Sequence, residues 1–255
     1  MNYPTWSDLS NESQVPPLGA RGAPDIGPVA LMVSCEPDIR FIKSRASDFK
    51  VSPFFMGTLI TLKEYDKGIS IAGPFIGAPY AAMLLESLIA RGALKIIVLG
   101  WCGALTDKLE IGDVILPENA FVDEGTSCNY KILDNKIPCS TPDIKFTDRL
   151  SDHLASCEIG FKKTGIWTTD AIYRETKNKI KYFRKLGARA VEMECSALFS
   201  VAGYRRVSIT GLLIVSDSLA SKDWKPGFRK KQFKLARKNA CEAVMSFAKK
   251  MCKNE

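Results

Sequence analysis

The apolar positions of this chain come in short unbroken runs more often than in strict alternation. Residues 29–34, 95–100 and 208–215 are almost wholly apolar, the mark of strands buried on both faces of a sheet. Elsewhere the spacing changes to three and four. Residues 38–49, 148–157 and 178–186 read as helices, and 79–91 as a helix with proline in its first turn. Two apolar runs, 56–62 and 69–72, flank a polar stretch at 63–67, as the strands of a hairpin do. Further strands are expected at 113–116 and 161–167, with a short one at 190–191 leading into a helix from about 195 to 203. A basic helix closes the chain. The strand at 95–100 is expected to run into a glycine-bearing turn, Gly100-Trp101-Cys102-Gly103. Strand and helix alternating without a linker predict one α/β domain over 29–255: three layers, with a mixed, mostly parallel central sheet flanked by helices. Residues 1–28, rich in Pro, Gly and Ser, read as an arm laid over the surface or over a partner subunit.

Composition narrows the class. With 255 residues, 46% hydrophobic and 25% charged, the chain is long and apolar enough for one sizeable core, which excludes disorder. Its longest uncharged stretch, 68–85, carries Gly68, Gly73, Pro74, Gly77 and Pro79 and reads as strand, turn and helix start, not a membrane span. No charged-then-apolar leader opens the sequence, so a cytoplasmic protein is expected. The net charge is +8, and eleven Lys and Arg against Asp223 and Glu242 concentrate the excess in 222–253. That places it on one terminal helix, a solvated face and not a nucleic-acid groove. Eight scattered cysteines without a CxxC pair read as reduced structural thiols. The single histidine, His153, lies far from every glycine-rich turn and reads as a surface residue, so neither a metal centre nor a histidine triad is expected.

The polar groups capable of chemistry gather at the carboxyl ends of the apolar strands. They are Glu36 and Asp38, the 100–103 turn with Trp101 and Gly103, Thr168-Thr169-Asp170, Glu192-Met193-Glu194, and Ser216-Asp217. Open α/β sheets bind ligands at that edge.

Three stretches then resemble the nucleoside phosphorylase and nucleosidase family, which includes purine nucleoside phosphorylase, uridine phosphorylase and methylthioadenosine nucleosidase. One runs from Ile96 through Gly103 to Gly112-Asp113-Val114-Ile115-Leu116 and Asp123-Glu124-Gly125-Thr126-Ser127; the others are Val191-Glu192-Met193-Glu194-Cys195-Ser196-Ala197-Leu198 and Ile214-Val215-Ser216-Asp217. Gly77-Ala78-Pro79 and Thr169-Asp170-Ala171-Ile172-Tyr173 match more weakly. The resemblance implies cleavage of a nucleoside's N-glycosidic bond, with no cofactor beyond phosphate as a possible co-substrate, by a homo-oligomer (dimer, trimer or hexamer). It implies that Glu194 holds the ribose hydroxyls, that Met193 packs on the sugar, and that Asp217 hydrogen-bonds or protonates the leaving base. Glu192, Ser216, Trp101 and Gly103 are expected to line the substrate pocket. Ile172 stands where the family stacks an aromatic on the base, a platform that Tyr173 or Phe75 is expected to supply. The glutamine-and-arginine pair of the uridine enzymes is missing after Ile172, which favours a purine.

The family's phosphate set is altered. Its Gly-Asp-Pro-x-Arg loop reads Cys35-Glu36-Pro37-Asp38-Ile39-Arg40, Val98 replaces the arginine before the central turn, and Trp101 replaces a serine. Two enzymatic readings follow. In one, a phosphorylase with an atypical site uses Arg40, Arg174 or Arg21. In the other, a hydrolase uses a first-loop carboxylate, Glu36 or Asp38, to activate water, and Asp38 aligns better with the family's base. A nucleoside-binding protein without catalysis is a third. No histidine precedes His153 to meet a 5′-hydroxyl, and the arm offers Tyr3, Trp6 and Leu9 instead, so a 5′-modified purine nucleoside is expected.

Overall fold

The computed structural model describes residues 9, 13–22, 25–62, 68–133, 136, 138–221 and 223–253; Tyr3, Trp6 and the polar stretch 63–67 lie outside them. In chain order the first half runs β1 (Val29–Val33), α1 (Glu36–Arg45), β2 (Phe49–Phe54), β3 (Gly57–Leu62), β4 (Ile69–Gly73), α2 (Ala78–Ala90), β5 (Lys95–Ala104) and β6 (Val114–Asp123). The second half runs β7 (Cys139–Ser140), α3 (Ile144–Ser156), β8 (Lys162–Thr169), α4 (Lys177–Leu186), β9 (Ala188–Glu192), α5 (Cys195–Arg205), β10 (Ser208–Ser218), β11 (Lys225–Pro226) and α6 (Lys231–Lys253).

Strands β4, β1, β5 and β10 lie side by side in parallel, and β3 and β2 extend that edge as an antiparallel hairpin. On its other side β10 pairs antiparallel with β6, β6 pairs parallel with β8, and β8 with β9. Strand β9 then returns antiparallel to β5, so β5, β10, β6, β8 and β9 close into a barrel. The unbroken apolar character of β1 follows from its two buried faces. Ala30 and Met32 face a core shared with α2 and α5, while Val29, Leu31 and Val33 face one shared with α1, α3 and α6. The expected three layers are present. Ahead of β1, the backbone amides of Asp25 and Ile26 donate to the Arg91 carbonyl, and Ile26 is buried.

Two expectations are corrected. The 100–103 segment is not a turn, because β5 runs through it to Ala104. Gly100 is needed there for close approach, since a Cβ would sit 3.2 Å from both Ser34 Oγ and a Leu213 methyl on β10. Residues 49–54 form a strand, not a helix end. Pro53 and the exposed Lys50 mask β2 in the sequence, and an edge strand tolerates both. All eight cysteines are free thiols. Among the described residues, no helix is long and apolar enough to cross a membrane.

Candidate active site

The carboxyl ends of β5, β9 and β10, with the segments that follow β1, β4 and β8, surround a cleft of about 930 Å³. Most of the expected residues fall there or behind it. Trp101, Gly103, Ile172, Tyr173, Glu192, Met193, Glu194, Ser216 and Asp217 all line the cleft.

Glu194 is set by two neighbours. Its own backbone N–H donates to Glu192 Oε2 at 2.7 Å, and its Oε1 accepts the Gly77 N–H at 2.6 Å. Gly77 has φ of +83°, a left-handed conformation that turns its amide toward the carboxylate and that other residues adopt only with strain. Burial first, and the charge of Glu192 second, raise the Glu194 carboxyl above its ordinary range. Glu192, besides lining the cleft, holds the backbone. Its carboxylate is consumed by Thr168 Oγ1 and by the backbone amides of Glu194 and Cys195, which fixes the first turn of α5 and so aims Glu194.

Asp217 stands next to last in β10, with Oδ1 accepting from Ser216 Oγ at 2.6 Å and Oδ2 accepting from Trp224 Nε1 at 2.7 Å. Gly103 leaves room for it, because a Cβ there would lie 3.2 Å from Asp217 Oδ2. Glu175 also lines the cleft. Burial, and then the nearby Asp217, push its carboxyl up to about 7. Neither Trp224 nor Glu175 was expected from the sequence. The only signal was an aromatic pair, Trp224 and Phe228, inside a run of lysines. Trp101, Phe228 and Trp224 form one aromatic wall, with neighbouring ring centroids 6.1 and 6.3 Å apart. Tyr173, by contrast, is 98% exposed at the cleft mouth beside a half-exposed Ile172.

Asp38 is not in the cleft, contrary to its expected role in activating water. It is 0% exposed behind Trp101, whose Nε1 donates to Oδ2 at 2.7 Å. Arg237 of α6 donates to Oδ1 from Nε at 2.7 Å and from Nη2 at 2.6 Å. A carboxylate so enclosed has no path to a substrate water. The expected phosphate ligands are displaced as well. Arg40 pairs with Glu36 on the exposed side of α1, Arg174 is exposed beyond the cleft mouth, and neither lines the cleft. Among the described residues, those that do line it include Glu175, Glu192, Glu194 and Asp217 but no Lys, Arg or His.

Known proteins carry the same architecture. The chain is 28% identical over 160 residues to the DeoD-type 1 purine nucleoside phosphorylase of Shewanella oneidensis, covering 62% of this chain and 67% of that protein. It is 30% identical over 154 residues to the DeoD-type enzyme of Alkaliphilus metalliredigens, covering 60% and 65%. The alignments thus span about two thirds of these relatives' length. A Toxoplasma gondii purine nucleoside phosphorylase crystallised with immucillin-H superposes with a TM-score of 0.78 at 19% identity, covering 96% of this chain and 99% of that one. The 5′-methylthioadenosine/S-adenosyl homocysteine nucleosidase of Campylobacter jejuni gives 0.72 at 20%, covering 89% and 99%. Identities this low establish the fold alone. The family model described as the phosphorylase superfamily matches residues 28–249, and the chain belongs to that nucleoside phosphorylase and nucleosidase superfamily.

Proposed function

We propose that the protein cleaves the N-glycosidic bond of a purine nucleoside with water as the acceptor. One observation carries the choice of water: four carboxylic acids and no cation among the described residues lining the cleft. A phosphate dianion needs several charge-assisted donors, and no cationic side chain among the described residues lining the cleft supplies one.

The same acids suit hydrolysis. As the C1′–N bond breaks, its electron pair leaves with the base and positive charge develops on the sugar. Glu194 orients the ribose through its hydroxyls, with Oε1 anchored by Gly77. Water bonds to C1′ and gives its proton to a cleft carboxylate. The base lies along the aromatic wall toward Asp217. There Glu175, half protonated near pH 7, supplies the proton that the leaving base requires. Free ribose and free base are the products, so atoms and charge balance without a co-substrate. Met56 and Ile76, exposed at the cleft, support assembly as a homo-oligomer, and residues 29–255 act as one catalytic domain.

Base release from adenosine, inosine and 5′-methylthioadenosine, each with and without phosphate, tests this reading. The expected result is release in phosphate-free buffer, unchanged by phosphate, with free sugar as product. Release that requires phosphate, or no release at all, overturns it. The 5′-methylthio substrate also tests the expected preference for a modified 5′ end.

A further inference from the structure

Behind Trp224 lies a second hollow of about 1090 Å³. It shares Glu175, Leu219 and Trp224 with the cleft, yet its character is opposite. Lys108, Lys177, Lys181, Arg184, Lys185 and Arg189 line it, against only Asp107 and Glu175 as acids. Among the described residues none of these six cations forms an ion pair, although Lys162, Lys163 and Lys179 close by all do.

The arrangement is built into the fold. Four of the cations come from α4 at positions 177, 181, 184 and 185, a spacing that sets them along one face. Lys177–Lys181 and Lys181–Lys185 are like-charge i,i+4 pairs, which weaken a helix unless something anionic lies over them. Arg189 is half-buried, and its Nη1 donates to the carbonyls of Arg184 and Ala188, which holds the guanidinium in place. Thr176, the N-cap of α4, lines the same hollow, and the first turn carries no acid, so the positive end of the helix dipole adds to the field.

We propose that this hollow is an anion subsite for the base end of the ligand, so that the substrate's leaving purine carries an anionic substituent. This rests on the reading of the cleft as a nucleoside site with its base toward Asp217. The shared wall decides which end of the ligand reaches over. Trp224 is the residue that donates to Asp217, whereas Glu194 and Gly77, on the ribose side, do not touch the hollow. A purine's N7 and its 6-substituent lie on one edge. A base that offers N7 to Asp217 therefore aims its 6-substituent past Trp224 toward α4. An unmodified nucleoside leaves the hollow empty, while a carboxylate or phosphate on that edge meets six cations in a concave setting that focuses their field.

The test compares N6-(1,2-dicarboxyethyl)adenosine with N6-butyladenosine, which has similar reach and no charge. In the wild-type protein at low salt the charged substrate is expected to show kcat/KM about tenfold higher. That advantage is expected to vanish in a Lys181→Gln/Arg184→Gln/Lys185→Gln variant and in about 0.5 M sodium chloride, with adenosine turnover unchanged. Equal rates for the two substrates, or a preference the variant keeps, overturn the proposal. Acceleration of adenosine cleavage by free succinate to the same extent also overturns it, because the hollow then takes a separate anion. If no nucleoside is cleaved, the functional reading fails on its own. The subsite is then judged by binding of the same two compounds, read from Trp224 fluorescence with Trp224→Phe as control. Tighter binding of the dicarboxylate that the triple variant loses supports it, and equal binding overturns it.

Discussion

Replacing Asp38 with Asn separates two accounts of this residue. Resemblance makes it a catalytic base, and the structure makes it a clamp. As a clamp it is fully buried, with one oxygen facing the Trp101 indole and the other taking two hydrogen bonds from Arg237, whose side chain is itself 15% exposed. Asn keeps the shape but removes the charge, which leaves a guanidinium buried without its counter-ion. Breaking one partner of a buried pair costs about 3–5 kcal/mol. For a domain of this size each kcal/mol lowers Tm by about 2–4 °C, so a fall of about 10 °C is expected by calorimetry. Removing both charges restores most of the loss, because a buried pair is worth little against an apolar replacement of similar volume. Asp38→Leu/Arg237→Met is therefore expected to melt well above Asp38→Asn. Turnover at a temperature where both are folded is expected to stay within about tenfold of wild type, since the effect on the cleft is only through Trp101. An Asp38→Asn protein that melts within a degree of wild type but has lost all turnover would refute the clamp and return Asp38 to the chemistry.

Other outcomes follow from the same geometry. Glu194→Ala and Asp217→Ala are each expected to lower kcat/KM by two to three decades, about 3–4 kcal/mol, with melting curves still cooperative; near-wild-type rates in both would remove them from the site. Glu175 has a raised pKa in the folded state, so the native protein binds more protons there than the unfolded chain does. Stability from this group is present below about pH 4.5 and is lost as pH rises toward about 7. Glu175→Gln is expected to flatten that part of the Tm–pH profile and to remove an ionisation near pH 7 from kcat/KM. Gly103→Ala puts a methyl 2.8 Å from a Leu219 methyl and 3.2 Å from Asp217 Oδ2, and is expected to lower kcat about tenfold with little change in Tm, as measured by steady-state kinetics and calorimetry. Buried Cys102, Cys195 and Cys241 and the cleft thiol Cys35, raised to about 12, are expected to resist a thiol reagent that labels exposed Cys128 and Cys157, as peptide mass analysis will show.

The doubly buried strands and the Glu192–Glu194 and Ser216-Asp217 ends were legible in the sequence because burial on two faces leaves no polar position, and the chemistry stands directly after it. Gly77 was legible as a match, but its purpose, an amide turned on Glu194, was not. What escaped depends on contacts between distant segments. Asp38 looks like a base until Trp101, 63 positions on, and Arg237, 199 positions on, are brought against it. Trp224 escaped for the same reason, since an aromatic among lysines carries no period. The barrel closure was hidden too, because a strand's second partner leaves no mark on its own residues.

The clamp on Trp101 has a consequence for how the protein comes into being. Its two halves are Asp38, in the first helix of the domain, and Arg237, in the last. During synthesis every strand that frames the cleft emerges before α6, and domains build up from their N-terminal side as they appear. Until α6 docks, the indole beneath the cleft has its nitrogen on a carboxylate whose counter-charge has not yet been made. A contact closed over so long a separation is among the slowest to form. The sheet is thus expected to exist on the ribosome well before the cleft has its finished floor, and competence to bind to arrive as a late, separate event in the birth of the molecule.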